Sequence, residues 1–402
     1  MKLLMIHQAF VSLEEAGGTR HVEFASHLVA TGHEVAIVGP SHSYRTAERA
    51  RVSGNVNGIQ VIRAYTAPTM HKSFAWRLLS FGTFMLSSVL ASLRSGKPDV
   101  ILGTSPPIFQ AVSAWLVAAL WRRPFLLEIR DLWPEFAVDI GILKNKRLIK
   151  AAYALENFLY RRADRIIVNS PAYVTYLLSR GVPERKVELI SNGVDPKMFD
   201  GPARREEVRR QYGIGDEFLV MYAGALGVAN DIPTLLQAAK LLQERKDIRF
   251  AIVGDGMKRA DLEREAGELG LTNLRFYDSV PKTEMKDVLA AADACVAILK
   301  NIPMFRTTYP NKVFDYMAAR RPVVLAIDGV IREVVEQGNC GVFAQPGDPQ
   351  ALAAAVRTLA DDRERAAQLG LNGRDYVCRH FDRRQHAEQF RLVVESMSAK
   401  GR

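Results

Sequence analysis

Cysteine is scarce in this sequence. Its 402 residues include three, Cys295, Cys340 and Cys378, which lie far apart and show no metal-ligand spacing. Such a set excludes a disulfide-stapled secreted domain and a zinc finger, and it favours a reduced, cytoplasmic compartment. The sequence also lacks an Asp-x-Asp pair and a His/Cys cluster. We therefore expect neither a bound metal ion nor any other cofactor.

Long apolar runs are also missing. The first ten residues carry too short a run for a signal peptide, and they predict a strand instead. The longest uncharged helical stretch, Leu78–Leu93, has 16 residues and five Ser or Thr side chains. It would span about 24 Å as a helix, less than the roughly 30 Å of a bilayer core. Two interpretations remain: a core helix of the first domain, or a helix partly exposed to lipid. In the second case, the cations near its ends would meet anionic headgroups: Lys72, Arg77, Arg94 and Lys97.

Positive charge is concentrated in the first half of the chain. Residues 1–190 hold 23 Lys and Arg against 14 Asp and Glu, whereas the remaining residues hold 31 against 30. A basic half indicates an anionic partner, either phosphates, an acidic membrane or nucleic acid, unless the charge serves solubility alone. The sequence contains no zinc finger and no aromatic-basic RNA motif, so we expect no nucleic acid partner.

The pattern of strands and helices occurs twice. "KLLMIHQAF" enters a glycine-bearing loop and a helix, and "HEVAIVGP" follows as the next strand. From residue 217, "EFLVMYAGALG" and "IRFAIVGDG" repeat this βαβ arrangement. We predict two doubly wound α/β domains, residues 1–190 and 191–381, with a terminal helix over 382–402 that packs back on the first. Ligands of such sheets lie beyond the carboxyl ends of the strands, here in a cleft between the domains.

A glycine pair precedes the first helix. Gly17 and Gly18 allow a ligand to approach the backbone, and the helix start offers free N–H groups and a positive dipole end. Arg20, one residue into the helix, would add a charge-assisted hydrogen bond to a phosphate. The alternative is that the glycines only form a turn.

A cation and a carboxylate stand at a second helix start. In "TTYPNKVFDYMAARRPVV" a helix is predicted from about Asn311, which places Lys312 and Asp315 in its first turn. Lys312 would stabilise a diphosphate as a point charge, and Asp315 would accept hydrogen bonds from paired ribose hydroxyls. The alternative is an i,i+3 ion pair between these two side chains on a solvated face.

Several motifs occur in the order found in one enzyme family. They are "GGTRHVEFASHLVATGHEVAIV", "EIRDLWPE", "ADRIIVNS", "ISNGVDPKMF", "AIVGDG" and "PNKVFDYMAARRPVV". The chain resembles the retaining glycosyltransferases of family four, which have the GT-B fold of two facing Rossmann-like domains. "RDLWPE" with "PNKVFDYMAA" is most similar to the branch of N-acetyl-L-fucosamine and colanic-acid-type transferases. The resemblance covers nearly the whole chain.

The resemblance implies transfer of a sugar from a nucleotide diphosphosugar, a substrate rather than a cofactor, without a metal. The donor would lie on the second domain, and the loop 277–285 would hold its base. The expected donor-binding residues are Gly17, Gly18, Arg20, Gly224, Asp255, Ser279, Val280, Arg306, Tyr309, Asn311, Lys312 and Asp315. The sugar nucleotide would be UDP-linked, with an N-acetylated or deoxy sugar. The acceptor would be a polyprenyl-diphosphate-linked saccharide, reached at the inner face of the plasma membrane.

The sequence departs from the family at two places. Thr307 stands where many members have the first of two glutamates, and Asp315 stands in place of the second. Ala225 and Asn230 stand where many members have an arginine and a lysine that bind the diphosphate. The resemblance then assigns this charge to Lys312, Arg20 and Arg306.

The expected catalytic residues are Lys312, Arg130 and Asp131. Arg130 and Asp131 follow the strand "FLLEI", and Asp131 would orient or deprotonate the acceptor hydroxyl. Its alternative role is the N-cap of a helix that begins near "LWPEF". Two other functions stay open: a non-hydrolysing nucleotide-sugar epimerase and a sugar-nucleotide-binding protein without chemistry.

Overall fold

The computed structural model describes residues 1–10, 18–42, 49–50, 52–68 and 74–400. Its contacts divide the chain into two compact units. Among the described residues, unit 1 comprises those up to Ser191, apart from Gly18, and those from Arg384 onward, and unit 2 comprises Gly18 and Asn192–Arg383. The predicted domain boundary follows residue 190, and the terminal helix is predicted to begin near residue 382.

The described part of unit 1 holds an eight-stranded sheet in the order β3-β4-β2-β1-β5-β6-β7-β8. The strands are β1 (Lys2–Ile6), β2 (Glu34–Pro40), β3 (Gly54–Val56), β4 (Ile59–Ala64), β5 (Val100–Ser105), β6 (Phe125–Ile129), β7 (Arg165–Val168) and β8 (Val187–Leu189). All neighbours are parallel except β3, which pairs with β4 in antiparallel fashion. The central strands are apolar and buried on both faces, as parallel strands covered by helices require.

Six helices of unit 1 lie between these strands in the described ranges. They are α1 (Arg20–Ala30), α2 (Phe74–Ser92), α3 (Ile108–Trp121), α4 (Glu135–Asp139), α5 (Lys146–Arg162) and α6 (Pro171–Ser179). Alternate residues of β1 separate the two core layers. Leu4 and Ile6 pack with side chains of α2 and α3, whereas Leu3 and Met5 pack with α1.

Unit 2 has a six-stranded, fully parallel sheet in the order β11-β10-β9-β12-β13-β14 within the described residues. The strands are β9 (Phe218–Ala223), β10 (Ile248–Val253), β11 (Leu274–Tyr277), β12 (Ala294–Ile298), β13 (Val323–Ala326) and β14 (Gly341–Phe343). The helices are α7 (Arg205–Tyr212), α8 (Ile232–Leu241), α9 (Arg259–Glu268), α10 (Met285–Ala291), α11 (Asn311–Ala318), α12 (Val330–Gln337), α13 (Pro349–Asp361) and α14 (Arg363–His380). The order changes direction between β9 and β12, which is where such sheets bind ligands.

The last helix, α15 (Arg383–Lys400), contributes to the core of unit 1. Phe390 stacks on Phe24 of α1 with the ring centroids 4.8 Å apart. His27 Nε2 lies 3.0 Å from Glu388, and His33 Nε2 lies 3.0 Å from Glu395. Apolar contact and hydrogen bonding therefore both attach α15 to this unit.

The two parallel α/β sheets confirm the predicted fold class. Short 3-10 turns complete it at Leu93–Ser95, Glu184–Lys186, Pro196–Phe199, Lys282–Glu284 and Pro303–Thr307. One detail of the terminal helix differs from its apolar pattern: Leu392 is 52% exposed, because the stripe formed by Ala387, Phe390 and Val394 already fills the contact with the core.

Candidate functional site

Lys312 lies in a small polar pocket at the start of α11. Its Nζ donates to the Tyr222 hydroxyl at 2.7 Å and to Asn230 Oδ1 at 3.1 Å. It also stands 4.1 Å from the centroid of the Tyr222 ring, a distance typical of a cation–π contact. These partners come from the end of β9 and the loop after it. The pocket therefore forms at the carboxyl edge of the sheet of unit 2.

Glycine and tyrosine residues shape this pocket. A Cβ on Gly224 would stand 3.0 Å from Lys312 Nζ, so a side chain there would crowd the ammonium group. The hydroxyl of Tyr316 donates to Ala223 O and accepts from Ala223 N, both at 3.0 Å. These two hydrogen bonds hold α11 against the end of β9. They fix the start of the helix relative to the loop that contacts Lys312.

The pocket around Lys312 contains no acidic partner within the part of the chain described here. Burial lowers the pKa of its ammonium group to about 7, since the neutral tyrosine and asparagine replace only part of its hydration. The predicted alternative of an ion pair with Asp315 is therefore wrong. A partly buried cation without a counter-ion is suited to bind an anion from outside the protein.

Asp315 has a different partner. Its Oδ1 accepts from Lys282 Nζ at 2.5 Å, and both side chains are less than one fifth exposed. Lys282 also stands 5.6 Å from the ring of Phe199. The sequence analysis missed Lys282, although it lies in the loop 277–285 that the resemblance assigns to the base. The ion pair uses one carboxylate oxygen of Asp315 and leaves Oδ2 as an acceptor.

The other predicted residues of unit 2 lie on loops and at the start of α11. Asp255, Ser279 and Arg306 are exposed, whereas Val280, Tyr309 and Asn311 are partly buried. Asp255 belongs to the turn that holds the β9 loop, because its carbonyl accepts from Leu226 N at 2.9 Å. Tyr309 O accepts from Asn192 at 2.7 Å, and burial raises the pKa of Tyr309 to about 12. Their role in donor binding stays a prediction.

Arg20 is placed differently from the expectation. It is 4% exposed, and its guanidinium donates to Glu128 Oε1 at 2.8 Å, Ser191 O at 2.8 Å and Ile190 O at 2.6 Å. The N–H groups of its guanidinium donate to acceptors within the protein, so the predicted contact of Arg20 with a phosphate is wrong. Gly18 is exposed just before α1, and Gly17 lies outside the described residues.

Glu128 is the reason for this placement. It is the single charged residue of β6 and is buried, and it contacts both Arg20 and His21 Nε2. These partners hold the pKa of the carboxyl well below its usual range despite burial. The pKa of His21 is lowered because burial disfavours its charged form. An isolated acid within the apolar run "FLLEI" is the signal that could have revealed this cluster.

Arg130 and Asp131 follow β6 directly. Arg130 donates to Pro106 O at 2.5 Å, and Asn169 Nδ2 donates to Arg130 O at 3.0 Å. Burial raises the pKa of Asp131 to about 6, opposed by Arg130 and by a hydrogen bond from Tyr173. Helix α4 begins at Glu135 with Pro134 as its N-cap, so the N-cap alternative for Asp131 is wrong.

Asp131 borders a narrow pocket of unit 1 together with a second buried acid, Glu156. The pocket is lined by Asp131, Trp133, Glu156 and Tyr160 among apolar side chains. Burial raises the pKa of Glu156 to about 7, and the Tyr160 hydroxyl donates to its Oε1 at 2.6 Å. Sequence reasoning missed Glu156, because helix α5 shows it only as one acid in an amphipathic pattern.

Comparisons with known proteins agree with the division of the chain into two units. A "Glycosyl transferase 4-like domain" matches residues 16–193, and "Glycosyl transferases group 1" matches residues 217–362. The two matches cover one unit each and together most of the chain. The chain is a group 1 glycosyltransferase with a glycosyl transferase 4-like domain in its first half.

This glycosyltransferase is similar to curated proteins over most of its length. It is 25% identical over 355 residues to the "Putative colanic acid biosynthesis glycosyl transferase WcaI" of Escherichia coli strain K12, covering 83% of this chain and 86% of the relative. It is also 25% identical over 385 residues to a GDP-mannose-dependent alpha-mannosyltransferase of Mycobacterium tuberculosis, covering 94% of each.

The fold of the glycosyltransferase is shared with solved structures. The crystal structure of HepE from Anabaena in complex with UDP and glucose superposes with a TM-score of 0.75 at 19% identity, covering 98% of this chain and 100% of that one. At this identity the likeness establishes the GT-B fold. The roles of individual residues rest on the geometry above.

Proposed function

We propose that this enzyme transfers a hexose or acetamidohexose from a nucleotide diphosphosugar to a hydroxyl group with retention of anomeric configuration. The single observation that carries the proposal is Lys312, a partly buried cation that contacts only neutral groups among the described residues. Leaving such a cation without an anion costs folding free energy, so its pocket makes physical sense as one half of an anion site.

The diphosphate of the donor is the proposed anion. Negative charge accumulates on it as the bond to the anomeric carbon breaks, and a fixed ammonium group stabilises that charge. Lys312 is in the first turn of α11, whose leading backbone N–H groups have no acceptor within the helix. These groups and the helix dipole favour an anion at the same place. No metal ion is required in this scheme, since Lys312 and the N–H groups supply the positive charge.

The nucleoside part of the donor is proposed to be uridine. Asp315, with Oδ2 not used by Lys282, would accept hydrogen bonds from the ribose hydroxyls. The complex of HepE with UDP supports a uridine donor, whereas the mannosyltransferase relative is named for GDP-mannose. Donor choice is therefore the first variable to test.

Asp131 is the proposed contact for the acceptor hydroxyl. A pKa of about 6 leaves its carboxylate ionised at neutral pH and able to accept a hydrogen bond. In the proposed front-face route the acceptor attacks from the side on which the nucleotide leaves, and a β-phosphate oxygen takes its proton. Asp131 then orients the hydroxyl, and Arg130, tied to Pro106, holds the turn that carries Asp131.

The proposed acceptor is a polyprenyl-diphosphate-linked saccharide used in cell-surface polysaccharide synthesis. The WcaI relative, whose name refers to colanic acid biosynthesis, supports this class, as does the resemblance to the fucosamine branch. The enzyme would then act in the cytoplasm at the inner face of the plasma membrane. N-acetylated and deoxy sugars are the donors to test first.

A donor panel tests the proposal. UDP- and GDP-sugars are incubated with the enzyme in chelator, with and without lipid-linked acceptor, and released nucleotide is measured. Nucleotide released only with acceptor supports transfer, and NMR of the product tests retention. Conversion of the donor without acceptor would point to the epimerase, and a strict need for a divalent ion would contradict metal-independent transfer.

A further inference from the structure

Helices α2 and α3 of unit 1 expose an unusual number of leucines. The leucines at positions 86 and 90 are each 68% exposed, and the one at position 120 is 63% exposed. Further exposed members are Leu78, Leu79, Leu93 and Leu116. We name these seven side chains the leucine face. Seven exposed leucines on two neighbouring helices are more than the singly scattered apolar side chains of an ordinary protein surface, and such clustering is typical of a contact site.

The two helices present this face together. Phe81 of α2 stacks on Phe109 of α3 with the centroids 5.9 Å apart, and Ser113 Oγ donates to Met85 O at 2.9 Å. Leu79, Leu86 and Leu93 recur every seven residues and therefore lie on one stripe of α2 and the 3-10 turn after it. The two helices therefore pack side by side, which brings their exposed leucines onto neighbouring surfaces of unit 1.

The opposite side of α2 is anchored in the protein core. Phe84, Ser88 and Ser92 are completely buried, and Phe84 packs with the sheet. By length and composition the stretch Trp76–Ser95 is apolar enough to cross a membrane, with a mean hydropathy of 1.3. A helix that forms a layer of the folded unit cannot also cross a bilayer, so the geometry fits a surface that rests on lipid.

Exposed positive charge stands just beyond the C-terminal ends of α2 and α3. Neither α2 nor α3 contains Asp or Glu. Arg94, Lys97 and Arg122 are exposed beyond the C-terminal ends of these helices. Cations beside an apolar face match the headgroups and the hydrocarbon boundary of an anionic membrane. A second copy of this face would bring no acidic side chain of α2 or α3 to these cations, whereas anionic headgroups would neutralise them.

We propose that the leucine face docks unit 1 onto an anionic lipid surface, the leucines entering the headgroup boundary and the three cations binding lipid phosphates. This inference concerns an interaction surface and does not depend on the chemistry at Lys312. It resolves the two open interpretations of the 78–93 stretch by using both faces: α2 is a core helix on one side and a lipid contact on the other.

Vesicle flotation tests the leucine face directly. Wild type is compared with the variant L86Q/L90Q and with L392Q, a matched control because Leu392 is 52% exposed on α15, on the other layer of the unit. With phosphatidylglycerol-containing vesicles we expect L86Q/L90Q to lower the partition coefficient about tenfold or more, and L392Q to leave it unchanged. Equal flotation of all three proteins would overturn the proposal.

A second variant tests the contribution of the three cations to lipid binding. R94Q/K97Q/R122Q should bind anionic vesicles at least tenfold more weakly at low salt, and the difference should shrink at high salt. Sedimentation velocity provides the competing outcome: a wild-type dimer that L86Q/L90Q dissociates, together with absent vesicle binding, would reassign the face to self-association. Turnover of all variants with a detergent-solubilised acceptor should match wild type, which separates this proposal from that of glycosyl transfer.

Discussion

The starts of α1 and α11 carry similar residues but serve different purposes. Each has a basic side chain within its first two residues, and each has a glycine nearby in sequence or in space. At α1, the guanidinium of Arg20 is directed to a buried carboxylate and two backbone carbonyls. At α11, the ammonium group of Lys312 meets a phenol and an amide.

This difference shows what decides whether a basic residue is structural or functional. The decisive feature is an acid far away in sequence: Glu128 is 108 positions from Arg20. Arg20 is neutralised within the protein, and its loss should affect folding. Lys312 is not neutralised by any described acid, and its loss should affect the reaction.

Arg20→Ala is expected to have the largest effect, on stability. The substitution leaves the Glu128 carboxylate buried with one partner fewer, and breaking such a pair typically costs about 3–5 kcal/mol. The free energy of unfolding from urea titration measures the loss. Arg161→Ala, at an exposed position of α5, is the control and should stay close to wild type. An Arg20→Ala enzyme with wild-type stability and no turnover would contradict the structural role and support the original prediction that Arg20 binds the donor.

Lys312→Ala is expected to lower turnover about a hundred- to a thousandfold, equivalent to about 2–4 kcal/mol of transition-state stabilisation. Its melting temperature should equal or exceed that of wild type, because a desolvated cation is removed. Lys240→Ala, at an exposed position of α8, is the matched control. Unchanged kcat in Lys312→Ala would assign the charge to another group, with exposed Arg306 the next candidate.

Asp315→Ala is expected to raise the KM for the donor about tenfold with little change in kcat, because a ribose contact forms equally in ground and transition states. Lys282→Ala should raise the same KM by a smaller factor, since Lys282 only orients the carboxylate. Steady-state kinetics on both variants and the double variant measure this. The double variant should be no worse than Asp315→Ala, and additive effects would contradict a shared role.

The smallest expected effect is on pH dependence. With a pKa of about 6, Asp131 becomes protonated as the pH falls and loses its capacity to accept a hydrogen bond from the acceptor. The rate with saturating donor should therefore be about half maximal near pH 6, and Asp131→Asn should remove this acidic limb. A limb that persists in Asp131→Asn would assign it to Glu156 or to the substrate.

Much of the fold follows from local sequence patterns. Buried parallel strands require apolar runs, so segments such as "IRFAIV" and "ACVAIL" can be predicted as strands from the sequence. The edge strand β3 cannot be predicted in this way, because it has three residues, which lie at least partly exposed and form no apolar run. The position of Lys312 at the start of α11 could also be predicted, because the residues that mark a helix start are local in sequence, whereas its role stays a prediction.

The remaining site features depend on contacts between distant residues. The ion pair of Lys282 with Asp315 spans 33 positions, and that of Arg20 with Glu128 spans 108. Arg20 and Asp315 stand in the helices α1 and α11, whereas their partners lie within a strand and in a loop, so no local spacing links the two charges of either pair. Sequence reasoning therefore finds cations near glycines but cannot tell which of them a distant acid has already neutralised.

The most direct test of the central claim is proton uptake on binding UDP to Lys312. A free pKa of about 7 leaves most of this group neutral at pH 8, and a bound diphosphate would raise its pKa and draw in a proton. Titration calorimetry at pH 8 in buffers of different ionisation enthalpy should show uptake of close to one proton by wild type and almost none by Lys312→Met. Absent uptake in wild type, or equal uptake in Lys312→Met, would contradict the account.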